Sequence, residues 1–342
     1  MEFGIFDHLD RYNIPLRDYY AERMKLAELY DALGFYCYHL AEHHGTPLGM
    51  APSPSVFLAA VAERTKRLRF GPMVYALPLY HPLRLLEEIC MLDQMSGGRL
   101  DIGFGRGASP IELEIFGQDP EKAEAVYREG LDLIIKGMST ETLTFHGETF
   151  HLDDVPITIE PLQKPHPPIW YGVHAPESAE RAARRGLHTI NLDPTDEAEV
   201  ASERYRSVWR ECHGDAPLPH LGLGRFIVVA ETDEAALAMA RRAYPIWHAS
   251  FTYLFRKHGR SMRHARPGDY DTLVARGQGV AGTPATVAAQ LREQVEATGA
   301  NYLVGQFSFG DLTLDECRRS IMLFAEQVMP ALRTKERVTA RA

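Results

Sequence analysis

The residues best suited to chemistry stand at the end of an apolar stretch, where Glu42-His43-His44 follows Tyr38 to Ala41. The stretch has the composition of a buried strand, and ionisable groups at the end of such a strand need a reason to be there, because burying charge is costly. A histidine titrates near neutral pH and can act as a general acid or base. Adjacent side chains point in different directions, so we expect one of the two rings to face a cavity. Without that position at a strand end, a His-His pair would be interpreted as structural or solvated.

Metal binding is the competing interpretation of these histidines. His39 and His43 have the i, i+4 spacing of a zinc pair on a helix. On a strand, residues four apart lie roughly 13 Å from each other, so the two rings cannot share one ion. The first strand ends in Asp7-His8-Leu9-Asp10, without the H-x-H of barrel metallohydrolases. We therefore expect no metal site.

A glycine-rich turn, Gly103-Phe104-Gly105-Arg106-Gly107-Ala108, follows another predicted strand. It formally matches the dinucleotide fingerprint, but it follows the fourth strand, and the residue about 20 positions later, Glu124, lies inside a predicted helix. Two interpretations of this turn remain open. The glycines allow close backbone approach while Arg106 offers its guanidinium to a phosphate, or Arg106 forms a salt bridge in an ordinary turn.

A further anion site is indicated by His174-Ala175-Pro176-Glu177-Ser178. Pro176 suits the first turn of a helix and would leave N–H groups free around Ala175 and Ser178. The start of a helix attracts anions, and barrels often bind phosphate late in the chain. Arg106 and this helix start could therefore meet over one phosphate. The alternative is that Ser178 is plain helix surface.

Strands and helices alternate along the chain and would place these residues. The alternation predicts an α/β fold, a (β/α)8 TIM barrel formed by residues 1–333 as one domain, with a long insertion after the seventh strand. An open doubly wound sheet would give the same alternation. In a barrel, the loops that follow the strands share one mouth. The predicted strands are 2–6, 35–41, 68–74, 100–103, 169–173, 187–191, 222–230 and 302–306, with an additional hairpin at 142–145 and 149–152.

The segment from about 247 to 280 interrupts this alternation. The helix after the seventh strand is predicted to end at Tyr244. Long segments without regular structure are typically lids or disordered, so we predict a mobile lid at 247–280. A charged and frayed tail is predicted at 334–342. The basic residues of the lid are Arg256, Lys257, Arg260, Arg263 and Arg266.

Composition limits the class of protein. The chain has 342 residues, of which 45% are apolar, and its net charge of −9 argues against a nucleic-acid surface. The four cysteines are scattered without a C-x-x-C pair, which is typical of a reducing compartment. The start reads as a strand rather than a signal sequence, and no apolar run approaches the about 20 residues of a membrane span. We expect a soluble, cytoplasmic protein.

Taken together and in this order, the motifs resemble those of the bacterial luciferase-like flavin monooxygenases, in particular the branch of the alkanal monooxygenase or luciferase α subunit. The resemblance covers nearly the whole chain and lies in the combination of motifs. The matching stretches are Leu40 to His44, Ala76 to Pro78, His81 to Arg84, Leu92 to Arg99, Gly103 to Gly107, Ala182 to Gly186, Gly282 to Pro284 and Phe324 to Leu332.

The resemblance implies a TIM barrel that binds reduced FMN, supplied by a separate flavin reductase, and reacts with O2. It implies that Arg106 grips the FMN phosphate and that His174, the Ala175 backbone and Ser178 complete the site. Relatives often carry a serine-containing pair where this chain has His174-Ala175. That departure favours Ser178 as the phosphate contact.

The resemblance also implies a non-proline cis peptide bond under the flavin ring, at Met73-Val74. It identifies His43 as the active-site histidine and acid/base, and Glu42 as the carboxylate beside it. A lid would keep water from the reaction. Relatives pair through helices that match 54–64 and 82–95, so a homodimer is implied as well.

The predicted reaction is oxidation of a small apolar substrate, such as an aldehyde or a ketone. Three alternatives remain open: an oxidoreductase that uses a deazaflavin coenzyme, a non-catalytic flavin-binding partner subunit, and a metal-dependent hydrolase. The apolar wall from Val74 to Leu77 and the lid would decide the substrate, and neither can be read as a code.

Overall fold

The computed structural model describes residues 1–11, 13–107, 109–262 and 265–333. Three parts of the sequence-based predictions lie outside the described residues: the charged tail at 334–342, Ala108 of the glycine-rich turn, and Arg263 of the predicted lid. The strands in the described ranges are β1 Glu2–Asp7, β2 Cys37–Leu40, β3 Arg69–Pro72, β4 Tyr75–Ala76, β5 Ile102–Gly105, β6 Thr142–His146, β7 His151–Pro156, β8 Ile169–Gly172, β9 His188–Asn191, β10 Leu221–Val229, β11 Gly279–Gly282 and β12 Tyr302–Gln306.

Parallel strands form a barrel. β1 pairs with β2 on one side and with β12 on the other, and the ring continues through β2–β3, β5–β8, β8–β9, β9–β10 and β10–β12. It closes between β3 and β5, where Phe70 and Leu100 form a bridge and the short β4 pairs with β5. The predicted TIM barrel is therefore confirmed, and the open doubly wound sheet is excluded. β6 and β7 form the predicted hairpin outside the barrel.

Glycines hold the closing seam between β3 and β5. A Cβ added at Gly71 would lie 1.9 Å from the carbonyl oxygen of Asp101, and one at Gly103 would lie 2.4 Å from the carbonyl oxygen of Pro72. A side chain at either position would push the two strands apart. The absence of side chains at these two positions lets the barrel close.

Helices cover the outside of the barrel, and several begin with proline, whose missing N–H costs nothing in the first turn. Within the described ranges, none is both long and apolar enough to cross a membrane. The helices are α1 Leu16–Leu33, α2 Pro54–Arg64, α3 Pro82–Met95, α4 Pro110–Ile115, α5 Ala123–Gly137, α6 Pro176–Arg184, α7 Thr195–His213, α8 Asp233–Phe251, α9 Tyr253–Lys257, α10 Tyr270–Ala275, α11 Pro284–Thr298, α12 Leu314–Leu323 and α13 Met329–Arg333, with a 3-10 turn at Leu77–Leu79 and a π turn at Phe324–Val328.

The segment predicted as a structureless lid contains regular structure. α8 passes through Pro245 and ends at Phe251, and α9, α10 and β11 follow it. Trp247 is 1% exposed and stacks on Tyr244, with ring centroids 5.6 Å apart. Burial of this large ring outweighs the tendency of proline to end a helix. The prediction that 247–280 lacks regular structure is wrong, while its mobility stays a prediction.

Aromatic rings fill the amino-terminal end of the barrel, which we call the floor. His188 and His220 lie 4.8 and 5.7 Å from Trp170, measured between ring centroids. His39 reaches the same group from β2, where its Nε2 lies 2.9 Å from the hydroxyl of Tyr302. We refer to these five residues as the floor cluster. They pack the end of the barrel opposite the mouth.

Candidate active site at the mouth of the barrel

His43 forms a pair with a carboxylate at the mouth. The loop after β2 carries its ring to Glu112, with 3.1 Å between Nδ1 and Oε1. The other carboxylate oxygen of Glu112 accepts the backbone N–H of His44, also at 3.1 Å. Only 13% of the His43 side chain and 11% of the Glu112 side chain are exposed. One glutamate therefore fixes both the ring and the loop that carries it.

Sequence reasoning misses Glu112, which lies on the short helix α4. Pro110 begins this helix, and Ser109 caps it by accepting the N–H of Glu112 at 3.4 Å. Because α4 follows the glycine-rich turn after β5, its first turn lies at the mouth. An acidic residue in the first turn of a helix that starts at the end of a barrel strand is the signal that could have identified Glu112.

The surroundings of His43 favour its protonated form. Burial by itself would lower the pKa of His43, but the charge and hydrogen bond of Glu112, with a smaller contribution from Glu42, outweigh burial and raise that pKa. Nδ1 is engaged by Glu112, while Nε2 makes no hydrogen bond to a described residue. Nε2 is therefore the atom at which this ring can hold or release a proton.

Glu42, the other residue predicted to be catalytic, bonds to His44 and Ala76 rather than to His43. Its Oε1 lies 2.8 Å from His44 Nε2, and its Oε2 accepts the backbone N–H of Ala76 at 3.0 Å. Its side chain is 1% exposed. Since Ala76 belongs to β4, Glu42 joins the loop after β2 to the wall beside the seam. It acts on His43 through its charge alone.

His8, which follows β1, stacks on His43. The two rings are 5.7 Å apart and inclined by 20°, and the edge of His8 meets Trp247 at 5.4 Å. Burial, together with the positive charges of His43 and Arg266, lowers the pKa of His8. The mouth therefore holds one histidine that favours its charged form and, stacked on it, one that favours its neutral form.

The peptide bond between Met73 and Val74 is cis, as the resemblance implies. Met73 is buried inside the barrel, and Val74 is half-buried. A Cβ added at Gly105 would lie 2.4 Å from Val74 Cγ2. The glycine thus lets Val74 pack directly against the turn that carries Arg106.

Arg106 presents an exposed guanidinium with one long ionic contact. Its side chain is 51% exposed, and Oε2 of Glu124 lies 4.0 Å away. Glu124 also pairs with Arg128 at 2.8 Å and attracts Arg181 of α6. Three arginines therefore share one carboxylate, which leaves an excess of positive charge around Glu124. This contact agrees with the salt-bridge interpretation made from the sequence. The phosphate interpretation stays a prediction, which a contact this long leaves open.

The start of α6 is more fully hydrogen-bonded than the sequence suggests. Ser178 Oγ accepts the N–H groups of His174 and Ala175, at 3.2 and 3.1 Å, and donates to the carbonyl of Ala175 at 2.7 Å. The amide of Ser178 bonds to the same carbonyl. The prediction of free N–H groups around Ala175 and Ser178 is wrong, because the serine hydroxyl folds back over its own turn.

His174 pairs with a carboxylate from the next strand. Its Nδ1 lies 3.0 Å from Oδ2 of Asp193, and 46% of its side chain is exposed. Asp193 is held in turn by its amide, which donates to the side chain of Asn191 at 2.8 Å. These contacts tie together the loops after β8 and β9.

The chemistry of these groups fits the phosphate of a flavin cofactor. Arg106 supplies an exposed cation, its neighbours supply excess positive charge, and α6, at nine residues, adds the positive end of its dipole. Ser178 fits as the group that shapes the turn rather than as a spare donor. In the described part of the chain, histidine, cysteine and acidic side chains form no group of three suited to a metal ion.

Comparison with known proteins agrees with this architecture. Residues 1–302 match the family model of luciferase-like monooxygenases. The uncharacterized protein y4wF of Sinorhizobium fredii (strain NBRC 101917 / NGR234) is 41% identical over 330 residues, covering 96% of both chains. The oxygenase component of the flavin-dependent trigonelline monooxygenase of Acinetobacter baylyi is 31% identical over 248 residues, covering 70% of this chain and 68% of that protein.

A solved structure shows the same fold over almost the full length. The monooxygenase RslO1 from Streptomyces bottropensis superposes with a TM-score of 0.87 and 28% identity, over 96% of this chain and 99% of that chain. The family match extends from the first strand to Tyr302, where the last barrel strand begins. The chain belongs to the family of luciferase-like monooxygenases.

Proposed function

We propose that this protein is the oxygenase component of a two-component monooxygenase, which takes reduced FMN from a separate flavin reductase and uses O2 to oxidise a small substrate. The observation that carries the proposal is the His43–Glu112 pair at the mouth of a luciferase-like barrel. A relative that is 31% identical is named as a flavin-dependent oxygenase component, which supports the separate reductase.

Arg106 is the residue that would hold the FMN phosphate. Its exposed guanidinium can form two parallel hydrogen bonds to phosphate oxygens, and the excess of positive charge around Glu124 favours a dianion. Reduced FMN, when bound, supplies the electrons that activate O2. The other residues that would contact or shape this site are Met73, Val74, His174, Ala175 and Ser178.

His43 would move the proton that the reaction requires. Glu112 orients the ring through Nδ1 and keeps its protonated form accessible near neutral pH, so that Nε2 can donate a proton and take it back. Glu42 would keep the loop in place through His44 and Ala76. In this assignment His43 is the catalytic residue, and Glu112 and Glu42 are positioning residues.

Exclusion of water is the role we propose for residues 247–280. Trp247 and Phe251 stack at 4.9 Å, and Trp247 also meets His8 beside the catalytic ring. Apolar rings over the mouth would keep water from the reacting atoms. Opening of this segment would then admit the substrate, an aldehyde or a ketone in the simplest case.

A homodimer is proposed from the outer faces of α2 and α3. Both helices carry exposed apolar side chains, with Val56 72%, Met91 55% and Met95 48% exposed. Large exposed apolar side chains on adjacent helices are typical of an interaction surface. A second copy of this chain would cover them.

The test begins with an anaerobic titration of reduced FMN, followed by oxygen uptake with a flavin reductase, NAD(P)H and a panel of aldehydes and ketones. We expect reduced FMN to bind and substrate-dependent oxygen uptake to yield an oxygenated product. The matched variants are His43→Gln, which should lose turnover, and His146→Gln on the exposed hairpin, which should keep it. Failure to bind reduced FMN would contradict the proposal, and hydride transfer without oxygen uptake would favour the deazaflavin alternative.

A further inference from the structure

One arginine of segment 247–280 has aromatic rings in place of ionic partners. The guanidinium carbon of Arg266 lies 5.9 Å from the ring centres of Phe226 and Trp247 and 5.8 Å from that of Phe251. The residue is half-buried, and no carboxylate of the described chain lies within ion-pair distance of it. Burial accordingly lowers the pKa of Arg266. A guanidinium held this way keeps all of its donors for something else.

Other basic residues of the same segment have protein partners. Arg260 pairs with Glu114 at 2.8 Å, and Arg256 donates to the carbonyl of Ala249 at 2.8 Å. Lys257 lies over the half-buried ring of Tyr253. Arg266 differs from them because it points to rings that belong to the mouth rather than to surface groups.

The rings beneath Arg266 lead directly to the catalytic pair. Trp247, which Arg266 covers, meets His8 at 5.4 Å, and His8 stacks on His43 at 5.7 Å. Phe226, the deepest of the three rings, belongs to the barrel strand β10 and is fully buried. Trp247 and His8 are themselves buried, at 1% and 7% exposed, so these rings connect Arg266 to His43 through packed contacts.

The charge balance at this side of the mouth favours an anion. Arg225 and Arg266 repel each other, and Asp193, the carboxylate that attracts both, is already paired with His174. Arg225 is buried and fully engaged by Gln294, Thr195 and two backbone carbonyls. The positive charge available to a ligand is therefore that of Arg266.

We propose that Arg266 binds a carboxylate group of the substrate, so that the substrate is a small organic acid. A guanidinium binds a carboxylate through two parallel hydrogen bonds, and the three rings shield that pair from water. This rests on the proposed oxygenase function, since it names the substrate of the same mouth. It refines the small apolar substrate predicted from the resemblance by adding one anionic group.

The test measures equilibrium binding by calorimetry, with and without saturating FMN. The probes are benzoate, phenylacetate and indole-3-acetate, each compared with its neutral primary amide. The variants are Arg266→Gln, Arg266→Lys, Arg106→Gln and, as the matched control from the same segment, the exposed Arg256→Gln. Binding of reduced FMN is titrated separately for each variant, so that loss of the flavin site and loss of the carboxylate site are distinguishable.

We expect at least one acid to bind more tightly than its amide, and Arg266→Gln to weaken the acid about 10- to 100-fold while leaving the amide unchanged. Arg266→Lys should fall between, because a lysine keeps the charge but not the paired geometry. Arg106→Gln should weaken FMN and spare the acids, and Arg256→Gln should change neither.

Three results would overturn the inference: no acid of the panel binds, acids and amides bind equally, or Arg266→Gln weakens reduced FMN instead of the acids. Acid binding that depends on Arg266 in a protein without affinity for reduced FMN would leave the inference standing and remove the proposed oxygenase function. Affinity for reduced FMN without any acid binding would leave the proposed oxygenase function standing and remove the inference about Arg266.

Discussion

The barrel carries a group of histidines at each end, and the two groups differ in the residues that surround them. At the mouth, His43 pairs with Glu112 and His44 with Glu42. On the floor, His39, His188 and His220 face Trp170, Tyr302 and one another, while the nearby carboxylate of Asp101 is taken by Arg69 and the indole of Trp170. Histidines lie at both ends, but among these two groups only those at the mouth have a carboxylate at hydrogen-bond distance.

The pKa values follow this difference. Burial, with repulsion from His220, lowers the pKa of His39 to about 3 and that of His188 to about 4, whereas the pKa of His43 is raised although it is buried too. Burial opposes charge at both ends, and a carboxylate at hydrogen-bond distance decides the outcome. Floor histidines behave as polar aromatic packing, and the mouth histidine behaves as a titrating group.

The largest expected effect comes from removing the titrating ring. His43→Gln should lower coupled turnover by about 10²- to 10⁴-fold, the contribution of a positioned acid/base group. Reduced FMN should still bind, because Arg106 is untouched. Turnover in the reductase-coupled assay measures the first effect and an anaerobic titration the second. Unimpaired turnover in His43→Gln would show that this ring serves as packing, as the floor histidines do.

Glu112→Gln should have the next largest effect on turnover. It leaves His43 buried without a hydrogen-bonded carboxylate, which is the environment of the floor histidines. Without the carboxylate, burial is no longer outweighed and the pKa of His43 falls. The limb of the pH–rate profile that belongs to His43 should move to lower pH, with a loss of about tenfold at neutral pH.

Glu112→Asp serves as the conservative control for that substitution. It keeps the negative charge on a shorter side chain and should keep most of the pH profile while weakening the bond to His43 Nδ1. A profile in Glu112→Gln that coincides with the wild type would show that Glu112 acts only by holding the loop through His44.

Substitutions in the floor cluster should change the stability of the protein rather than its turnover rate. Below about pH 6.5 the unfolded chain protonates its histidines, while the folded floor stays neutral until the pH approaches 4 or 3. The unfolded state then binds more protons than the folded state. The floor histidines therefore contribute their full stabilisation above about pH 6.5, and the free energy of unfolding decreases as the pH falls below that value. One histidine contributes at most about 1.4 kcal/mol per pH unit.

His39→Gln isolates this contribution, since glutamine can still bond to the hydroxyl of Tyr302 but does not titrate. Urea unfolding between pH 7 and pH 4 should show a shallower decline than in the wild type. His146→Gln, in the exposed hairpin, should leave the decline unchanged. An identical decline in His39→Gln would mean that the floor is protonated in the folded state.

His8 is the intermediate case and should give the smallest effect. It lies at the mouth, yet its pKa is lowered like those of the floor. His8→Phe keeps the contacts with Trp247 and His43 and removes a group that is neutral when His43 titrates. Turnover should stay within about threefold, and the pH limb of His43 should not move. A shift of that limb would show that His8 carries charge in the working protein.

The sequence permits prediction of the barrel and of a histidine at its mouth because both depend on local patterns. Strand and helix periodicity is local, and so is the position of His43 directly after a strand. Glu112 escapes prediction because its partner is 69 positions away, and a glutamate between apolar residues of a short helix reads as surface. The pairing of Glu112 with His43 depends on the position of α4 in the folded barrel, which no local sequence pattern encodes.

Contacts formed in the tertiary structure account for the other differences between the sequence-based predictions and the structure. Pro245 is a sound local signal for the end of a helix, but α8 continues to Phe251, and Trp247 beyond the proline is buried between the rings of Tyr244 and Phe251. The hydroxyl of Ser178 is likewise a plausible ligand by position, yet it satisfies its own turn. In both cases long-range contacts replace the outcome that the neighbouring residues favour.

The glycine seam between β3 and β5 has a practical consequence for engineering this protein. Substitutions that aim at new substrates would target the wall predicted from the sequence, Val74 to Leu77, which lies next to the seam. Gly71 and Gly103 cannot accept even one methyl group without displacing backbone of β3 or β5. β5 pairs with the short β4, which carries Ala76, the anchor of Glu42. Libraries that aim at new substrates should therefore keep both glycines fixed and place their diversity on the α8 side, where rings rather than backbone define the shape.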